Sequence, residues 1–323
     1  METTATADRN AVGDSLAAGS HRGSPRPAAP SHYVGRFAPS PTGDLHLGSL
    51  VAALGSYLDA RHQGGRWLVR MEDLDTPRVV PGSASGILRT LETFGLEWDG
   101  EVLHQSRHVQ RYLAVTDQLK SRGLTFECAC SRRELAGHDE TGYPGTCRDG
   151  PRGTGPTARR FRVRDTQVSE FEDRIQGSCR FDLATLGDFV IRRKDGIVSY
   201  QLAVVVDDAY QDITDVVRGA DLLESTGWQI ALQQALAVRT PRYAHLPLVL
   251  SADQDKLSKS RRAVPLDAAR AGATLCVALR LLNMHPPAEL ESGPPAQLLA
   301  WATAAWRVSA CRHLRSVTAV TPA

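Results

Sequence analysis

Three short stretches of this chain combine residue types at spacings that could do chemistry. The first is "HLGS", His46 to Ser49, where an imidazole and a glycine open a helix-like run. A helix N-terminus offers unpaired N–H groups and the positive end of the helix dipole, so it receives phosphate readily. Gly48 lets a flat ring or a phosphate approach the backbone where a Cβ would obstruct it. His46 can donate to a phosphate oxygen as charge builds in a transition state. The second stretch is "KLSKS", Lys256 to Ser260, two lysines three apart beside hydroxyls. Of 38 basic residues only four are lysine, Lys120, Lys194, Lys256 and Lys259. In an arginine-rich chain, a position that keeps the compact, mobile ammonium is a site candidate. The third stretch holds Cys128, Cys130 and Cys147, in Gly- and Pro-rich sequence that also carries His138 and Tyr143. Three thiols in a segment with little core of its own point to structural Zn2+, and on spacing alone His138 is the commoner type of fourth ligand. The scattered Cys179, Cys276 and Cys311 read as ordinary buried thiols.

A frame must hold these groups. "YVGRF" reads as a strand, "SLVAALGSYLDARHQ" as a helix and "RWLVRME" as a second strand, a βαβ unit that implies a parallel sheet with right-handed crossover. Ser83 to about Leu96 and Val109 to Leu124 read as helices, and Cys128 to about Arg164 as an irregular insert. A second α/β half is expected from "DFVIRR" (Asp188 to Arg193) through "SYQLAVVVDDAYQDITDVVRG" and the helical "LLESTGWQIALQQAL" to a final strand, "HLPLVL". After Val264 the pattern is helical to about His313, broken at Gly293 to Pro295. Residues 1–31 are Ala-, Gly-, Ser-, Thr- and Pro-rich and are expected to form a disordered tail. The chain has 323 residues, is 42% hydrophobic, and has a net charge of +2 that names no partner. It has no apolar run near the ~18 residues of a membrane span and no secretory h-region, so the expected location is cytoplasmic, with no membrane partner.

"HLGS" after the first strand and "KLSKS" after the last resemble the HIGH and KMSKS signatures of class I aminoacyl-tRNA synthetases. "RFAPSPTGDLHLGS", "RMEDLDTPR", "SYQLAVVVDDAYQDITDVVRGADLL" and "HLPLVL" resemble the glutamyl branch specifically, over about residues 33–264. Both signatures depart in their apolar or terminal positions but keep the His, the Gly and both lysines. The resemblance implies an α/β, Rossmann-like catalytic domain over residues 32–264, a zinc-containing insert at about 126–182, and a short helical C-terminal region at 265–323. It implies glutamate contacts from Arg36, Phe37, Ala38, Pro39, Ser40, Glu72, Tyr200 and Arg218. Those types suit an ammonium and two carboxylates, since Arg grips carboxylate bidentately. By the same resemblance ATP meets His46, Gly48 and Lys259 and brings Mg2+, while His46, Lys256 and Lys259 are catalytic. Similarity to one glutamyl synthetase-like branch makes Tyr143 the fourth zinc ligand, beside Cys128, Cys130 and Cys147.

Only about 60 residues follow Ser260, which leaves no room for an anticodon-binding domain of the full-length kind. The chain therefore resembles the truncated glutamyl-Q tRNA(Asp) synthetase family. That family activates L-glutamate with ATP without needing tRNA, then esterifies it to the cyclopentenediol of queuosine at the wobble position of tRNA(Asp). The implied partner is the anticodon loop of that tRNA, met by a monomer. The alternative is a minimal discriminating glutamyl-tRNA synthetase that charges the 3′ end of tRNA(Glu). The basic run "ARRFRVR", Ala158 to Arg164, and the pair Arg192 and Arg193 are candidate phosphate contacts.

Overall fold

In a computed structural model, the structure describes residues 33–136, 142–163, 168–251, 266–291 and 293–318. The expected tail, the "KLSKS" lysines Lys256 and Lys259, His138 and Arg164 lie outside these residues.

The chain begins as predicted, with β1 (Val34–Phe37), α1 (Leu47–His62) and β2 (Arg66–Met71), β1 and β2 being parallel from Val34 opposite Arg66 to Phe37 opposite Val69. After α2 (Ser83–Thr93), β3 (Leu103–His104) extends the sheet beside β2. α3 (Val109–Ser121) leads to β4 (Thr125–Cys128), the single turn α4 (Arg132–Leu135) and β5 (Ala158–Phe161). There follow β6 (Val168–Asp173), β7 (Gly177–Asp182), the single turn α5 (Leu183–Leu186), β8 (Phe189–Arg192) and α6 (Tyr200–Tyr210). Next come β9 (Asp215–Gly219), α7 (Leu223–Leu236), β10 (Arg242–Leu246) and β11 (Leu248–Leu250), then α8 (Ala271–Leu281), α9 (Pro295–Ala305) and β12 (Ser316–Thr318).

The order β3-β2-β1 meets β9 at Thr214, whose N–H donates to the Val34 carbonyl at 2.9 Å and whose hydroxyl accepts the Val34 N–H at 2.9 Å. From β9 the order runs β10-β6-β7, with β9, β10 and β6 parallel and β7 antiparallel. Strand order therefore reverses between β1 and β9. In an open α/β sheet such a reversal opens a ligand crevice outside the carboxyl ends of the strands. β1 is buried along its whole length, as a strand covered on both faces must be. α1 is buried nearly all round because α8 and α9 cover the side that the sheet does not. Its closeness to β10 needs Gly55, where an added Cβ would stand 2.6 Å from Leu246 Cδ1.

Three expectations differ from the outcome. "DFVIRR" does not open the second half of the main sheet, because β8 pairs antiparallel with β5 in a separate β4-β5-β8 sheet whose Phe161 and Phe189 pack together. The β6–β7 hairpin, within the span read as insert, joins the main sheet through β10 instead. "HLPLVL" divides at Pro247, which has no N–H to give a ladder; β11 then pairs with β12, so the C-terminal region adds a strand to its helices.

Behind the sheet, Asp59 of α1 accepts from the Tyr33 hydroxyl at 2.6 Å, the Trp306 indole at 2.9 Å and both Nη atoms of Arg174. Burial works against its charge, but Arg174 and these hydrogen bonds outweigh burial and hold the carboxyl below the usual range. This one carboxylate ties the first helix to β6 and to the segment after α9. Asp59→Ala, which leaves Arg174 and Tyr33 without their acceptor, is expected to cost roughly 3–5 kcal/mol in urea unfolding. A loss under about 1 kcal/mol would show that the network contributes little.

Candidate functional site

His46 is the N-cap of α1, and its backbone is extended there. The Ser49 N–H donates to His46 Nδ1 at 3.2 Å and the His46 N–H donates to Ser49 Oγ at 2.8 Å, a reciprocal cap. Because Nδ1 accepts, the neutral ring carries its proton on Nε2. Burial lowers the pKa of the imidazole, which keeps it neutral at pH 7. The cap thus presents Nε2–H as a donor at a helix N-terminus whose first turn has no acidic residue. Gly48 has a second reason to lack a side chain, since a Cβ would stand 3.1 Å from the His46 ring.

The other predicted residues converge on the carboxyl ends of β1, β2 and β9. Arg36 is buried and paired with Asp208 of α6 at 3.2 Å. The neighbouring Phe37 faces the opposite way, as strand alternation requires; its ring packs on Trp67 in the core, so a glutamate contact through this side chain is not what the structure places here. Pro39 accepts the Glu72 N–H at 2.9 Å, holding the residue after β2 against the first loop. Ala38 is half-buried beside it and Ser40 is exposed.

The Glu72 side chain is only 8% exposed, yet its Oε1 has no hydrogen-bond partner among the described residues. Burial pushes its carboxyl up to about 7, against the pull of Arg70 and Arg36. Arg218 of β9 is also buried. Its Nε donates to His245 Nε2 at 3.1 Å, Nη1 to the Tyr200 hydroxyl at 3.1 Å, and Nη2 to Thr226 Oγ1 and Gln229 Oε1, each at 2.8 Å. Among the described residues no carboxylate pairs with it directly. The site therefore offers a guanidinium ringed by neutral groups and a carboxylate with an open lone pair. Those are the counter-charges of a carboxylate and an ammonium on one ligand.

Sequence reasoning missed Arg70, Asp207, Asp208 and His245. Arg70 is fully buried, bonded to Asp208 at 2.8 Å and Gln211 at 2.7 Å, while Asp207 accepts from Gln105 at 2.8 Å and from the Tyr112 hydroxyl. The signal was a charge inside each apolar run, as in "WLVRM", "AVVVDDA" and "YAHLPLVL". A buried polar or charged group must find partners: Arg70 finds Asp207 and Asp208, and His245 finds Asp173 and Arg218.

In the β4-β5 connection, the sulfurs of Cys128, Cys130 and Cys147 lie within 4.8 Å of one another, and Cys130 and Cys147 are 3.6 Å apart. Tyr143 Oη is 3.4 Å from Cys128 Sγ and 3.7 Å from Cys130 Sγ, and accepts the Cys147 N–H at 2.8 Å. Tetrahedral zinc with bonds of ~2.3 Å to sulfur and ~2.0 Å to oxygen needs S···S edges of ~3.8 Å and S···O edges of ~3.5 Å. The donor set fits, so the three thiols could hold zinc. Burial opposes ionisation of Cys147, but the Arg152 N–H, the Tyr143 hydroxyl and the Ala129 N–H outweigh it and bring the thiol to about 6.

Of the proposed basic contacts, Arg159 and Arg160 are buried, Arg162 and Arg192 are half-buried, and the Arg193 side chain is 37% exposed. Arg159 pairs with Glu127 and Asp117, and Arg160 donates to the Asp188 carbonyl and covers the Tyr143 ring at 4.0 Å. Arg192 donates to the Gly196 carbonyl, and Arg193 pairs with Asp75 and Asp195.

Residues 33–271 match the family described as tRNA synthetases class I (E and Q), catalytic domain. The chain is 54% identical over 275 residues to the glutamyl-Q tRNA(Asp) synthetase of Ectopseudomonas mendocina (strain ymp), covering 85% of this chain and 93% of that one. It is 53% identical over 288 residues to the protein of that name from Pseudomonas aeruginosa PAO1, covering 88% and 98%. The fold is similar to a glutamate-tRNA synthetase from Elizabethkingia anophelis, with a TM-score of 0.71, 25% identity, and coverage of 88% of this chain and 68% of that one.

Glu72 gives a pH signature. Its folded value of about 7 stands above the ordinary 4.5, so the folded chain holds this proton and loses stability as pH rises from 4.5 towards 7. Glu72→Gln removes that titration. In urea melts without ligand the variant should gain on the native chain between about pH 5 and pH 8, reaching roughly 2–3 kcal/mol. Parallel pH curves would show that Glu72 is already compensated.

Proposed function

This chain belongs to the glutamyl-Q tRNA(Asp) synthetase family of class I tRNA synthetases and is a ligase of aminoacyl-tRNA synthetase type; on that premise we propose that it activates L-glutamate with ATP in the absence of tRNA and transfers it to queuosine in tRNA(Asp). The observation that carries the reading is one crevice, at the carboxyl ends of the strands around β1 and β9, that holds both Arg218, whose hydrogen-bond partners are neutral, and Glu72, whose buried Oε1 has no hydrogen-bond partner among the described residues and lies 3.6 Å from the Arg70 guanidinium. A glutamate fits with its ammonium at Glu72 and its carboxylates towards Arg218 with Tyr200 and towards Arg36. Ala38, Pro39 and Ser40 form the loop across it.

In the proposed reaction a glutamate α-carboxylate oxygen attacks the α-phosphorus of ATP, the bond to pyrophosphate breaks, and glutamyl-adenylate forms. His46 donates its Nε2–H to a phosphate oxygen, and Gly48 leaves the helix N-terminus open to the nucleotide. Lys259, assisted by Lys256, steadies the departing phosphates, with Mg2+ arriving on ATP. Positioning and charge stabilisation account for such chemistry, with no covalent step on the protein. A hydroxyl of the queuosine cyclopentenediol then attacks the adenylate carbonyl and AMP leaves. The enzyme acts in the cytoplasm as a monomer, and Cys128, Cys130, Cys147 and Tyr143 hold one structural Zn2+.

The direct test is transfer of labelled glutamate to tRNA(Asp) with and without queuosine, and to tRNA(Glu), before and after enzymatic removal of the terminal adenosine. Labelling that requires queuosine and survives loss of that adenosine is expected. Labelling of tRNA(Glu) that disappears with the adenosine would instead make this a minimal glutamyl-tRNA synthetase, the reading that the likeness to glutamate-tRNA synthetase structures favours.

The zinc assignment has its own measurement. Tyr143→Phe, which keeps the ring but removes the oxygen, should weaken zinc about 10–100-fold in competition with a chromophoric chelator. Unchanged affinity would remove Tyr143 from the ligand set.

A further inference from the structure

Arg218 cannot choose its own orientation. A guanidinium only donates, so the nitrogen that faces its Nε, His245 Nε2 at 3.1 Å, must be an acceptor, and the Thr226 hydroxyl, also 3.1 Å from that nitrogen, can donate to it as well. The proton of the neutral ring then sits on Nδ1, which faces Asp173 Oδ2 at 2.6 Å. The three residues lie on adjacent strands, with His245 of β10 opposite Arg218 of β9 and Asp173 closing β6 beside them. His245 is completely buried and Asp173 nearly so.

Asp173 is itself held firmly. Its Oδ1 accepts the N–H groups of Ile175 at 3.0 Å, Gln176 at 2.8 Å and His245 at 3.1 Å. Burial lowers the pKa of His245 to about 4, more than Asp173 can offset, so the ring stays neutral. On the far side, Nη2 of Arg218 is spent on Thr226 and Gln229, and the Gln229 amide is fixed by donating to Gln201 Oε1 at 2.9 Å. With the Nε and Nη2 side anchored in protein, the Nη1 edge beside the Tyr200 hydroxyl is the edge presented to a ligand.

We propose that Asp173 and His245 are positioning residues for carboxylate recognition: Asp173 selects the tautomer of His245 that accepts from Arg218, and this fixes the guanidinium edge that grips the substrate. The proposal rests on the glutamate reading of the site. It extends the substrate-binding machinery across the sheet to two residues that need not touch glutamate. It also accounts for a histidine in the middle of "YAHLPLVL", where packing alone would take an apolar side chain.

The isosteric variant Asp173→Asn tests the tautomer. The asparagine amide can donate to Nδ1, which sends the ring proton to Nε2, where it confronts the Arg218 Nε–H; an analogous exchange gives the wrong tautomer in serine proteases. In glutamate-dependent ATP–pyrophosphate exchange, Asp173→Asn should raise the KM for glutamate about 10-fold or more. The KM for ATP and kcat should stay within about 3-fold. His245→Gln, whose amide can both donate and accept, should lie between the native chain and His245→Ala, and thermal melting of each variant reports its folding.

A glutamate KM within about twofold of native in folded Asp173→Asn overturns the proposal. So does a parallel rise in both KM values, the mark of a merely structural role; if Asp173→Asn does not fold, equal KM values for the two His245 variants overturn it as well. A native chain whose ATP–pyrophosphate exchange is supported by another amino acid and not by glutamate overturns the glutamate reading, and this proposal with it.

Discussion

An amino-acid ligand with three charges can be bound inside a parallel sheet only if the protein places its own charges where no water compensates them. The structure meets this constraint by sharing. Asp208 lies between Arg36 of β1 and Arg70 of β2, and Asp207 takes Gln105, Tyr112 and the edge of Arg70, so one turn of α6 neutralises the ends of two strands. Removing any one member would strand a buried ion, whereas the assembled set costs little beyond desolvation. What this sharing leaves over is the working part of the site. Glu72 keeps an oxygen that, among the described residues, has the Arg70 charge 3.6 Å away but no hydrogen bond, and Arg218 receives its negative counterpart only through a neutral imidazole.

The same logic explains how the loop before α1 is fixed. The cap of α1 engages one of the free N–H groups at that helix end, and the first turn carries no acidic residue. His46 and Ser49 cap each other locally, and that cap settles which imidazole nitrogen remains a donor. The Glu72 N–H, donated to the Pro39 carbonyl, joins the loop to the end of β2. Asp59, deeper in α1, carries that connection through the sheet to Arg174 and Trp306.

How much of this was legible in the sequence depended on the range of the interaction. The βαβ start, α1 to α3 and the thiol cluster were legible because apolar period, turn residues and cysteine spacing are local. The convergence of Arg36, Glu72, Tyr200 and Arg218 came through motif resemblance, since they are up to 182 positions apart and no spacing rule joins them. That the Phe37 ring packs on Trp67 was not legible, because a motif names residues without saying which face of a strand each takes. In the run "ARRFRVR" the burial of Arg159 and Arg160 was not legible, because composition cannot tell a solvated arginine from one in a sheet facing Glu127 and Asp188. The pairing of β8 with β5 depended on a core that Phe161, Phe189 and Ile191 share with α3, α6 and α7, which no window of sequence contains.

The burial of Arg159 and Arg160 bears on how the cysteine cluster relates to the rest. Asp188, just before β8, accepts from Arg148 at 2.7 and 2.9 Å and from the Val163 N–H at 2.8 Å. Arg148 follows Cys147 directly, and Arg160, bonded to the Asp188 carbonyl, lies over the ring of Tyr143. The donor cluster is thus anchored to β8, and β8 leads through Ser199 into the helix that begins with Tyr200 and carries Asp207 and Asp208. Two features that look separate in the sequence, a cysteine-bearing insert and a charged crevice, share one mechanical support. Arg148 and Arg160, which lie between them, serve that support.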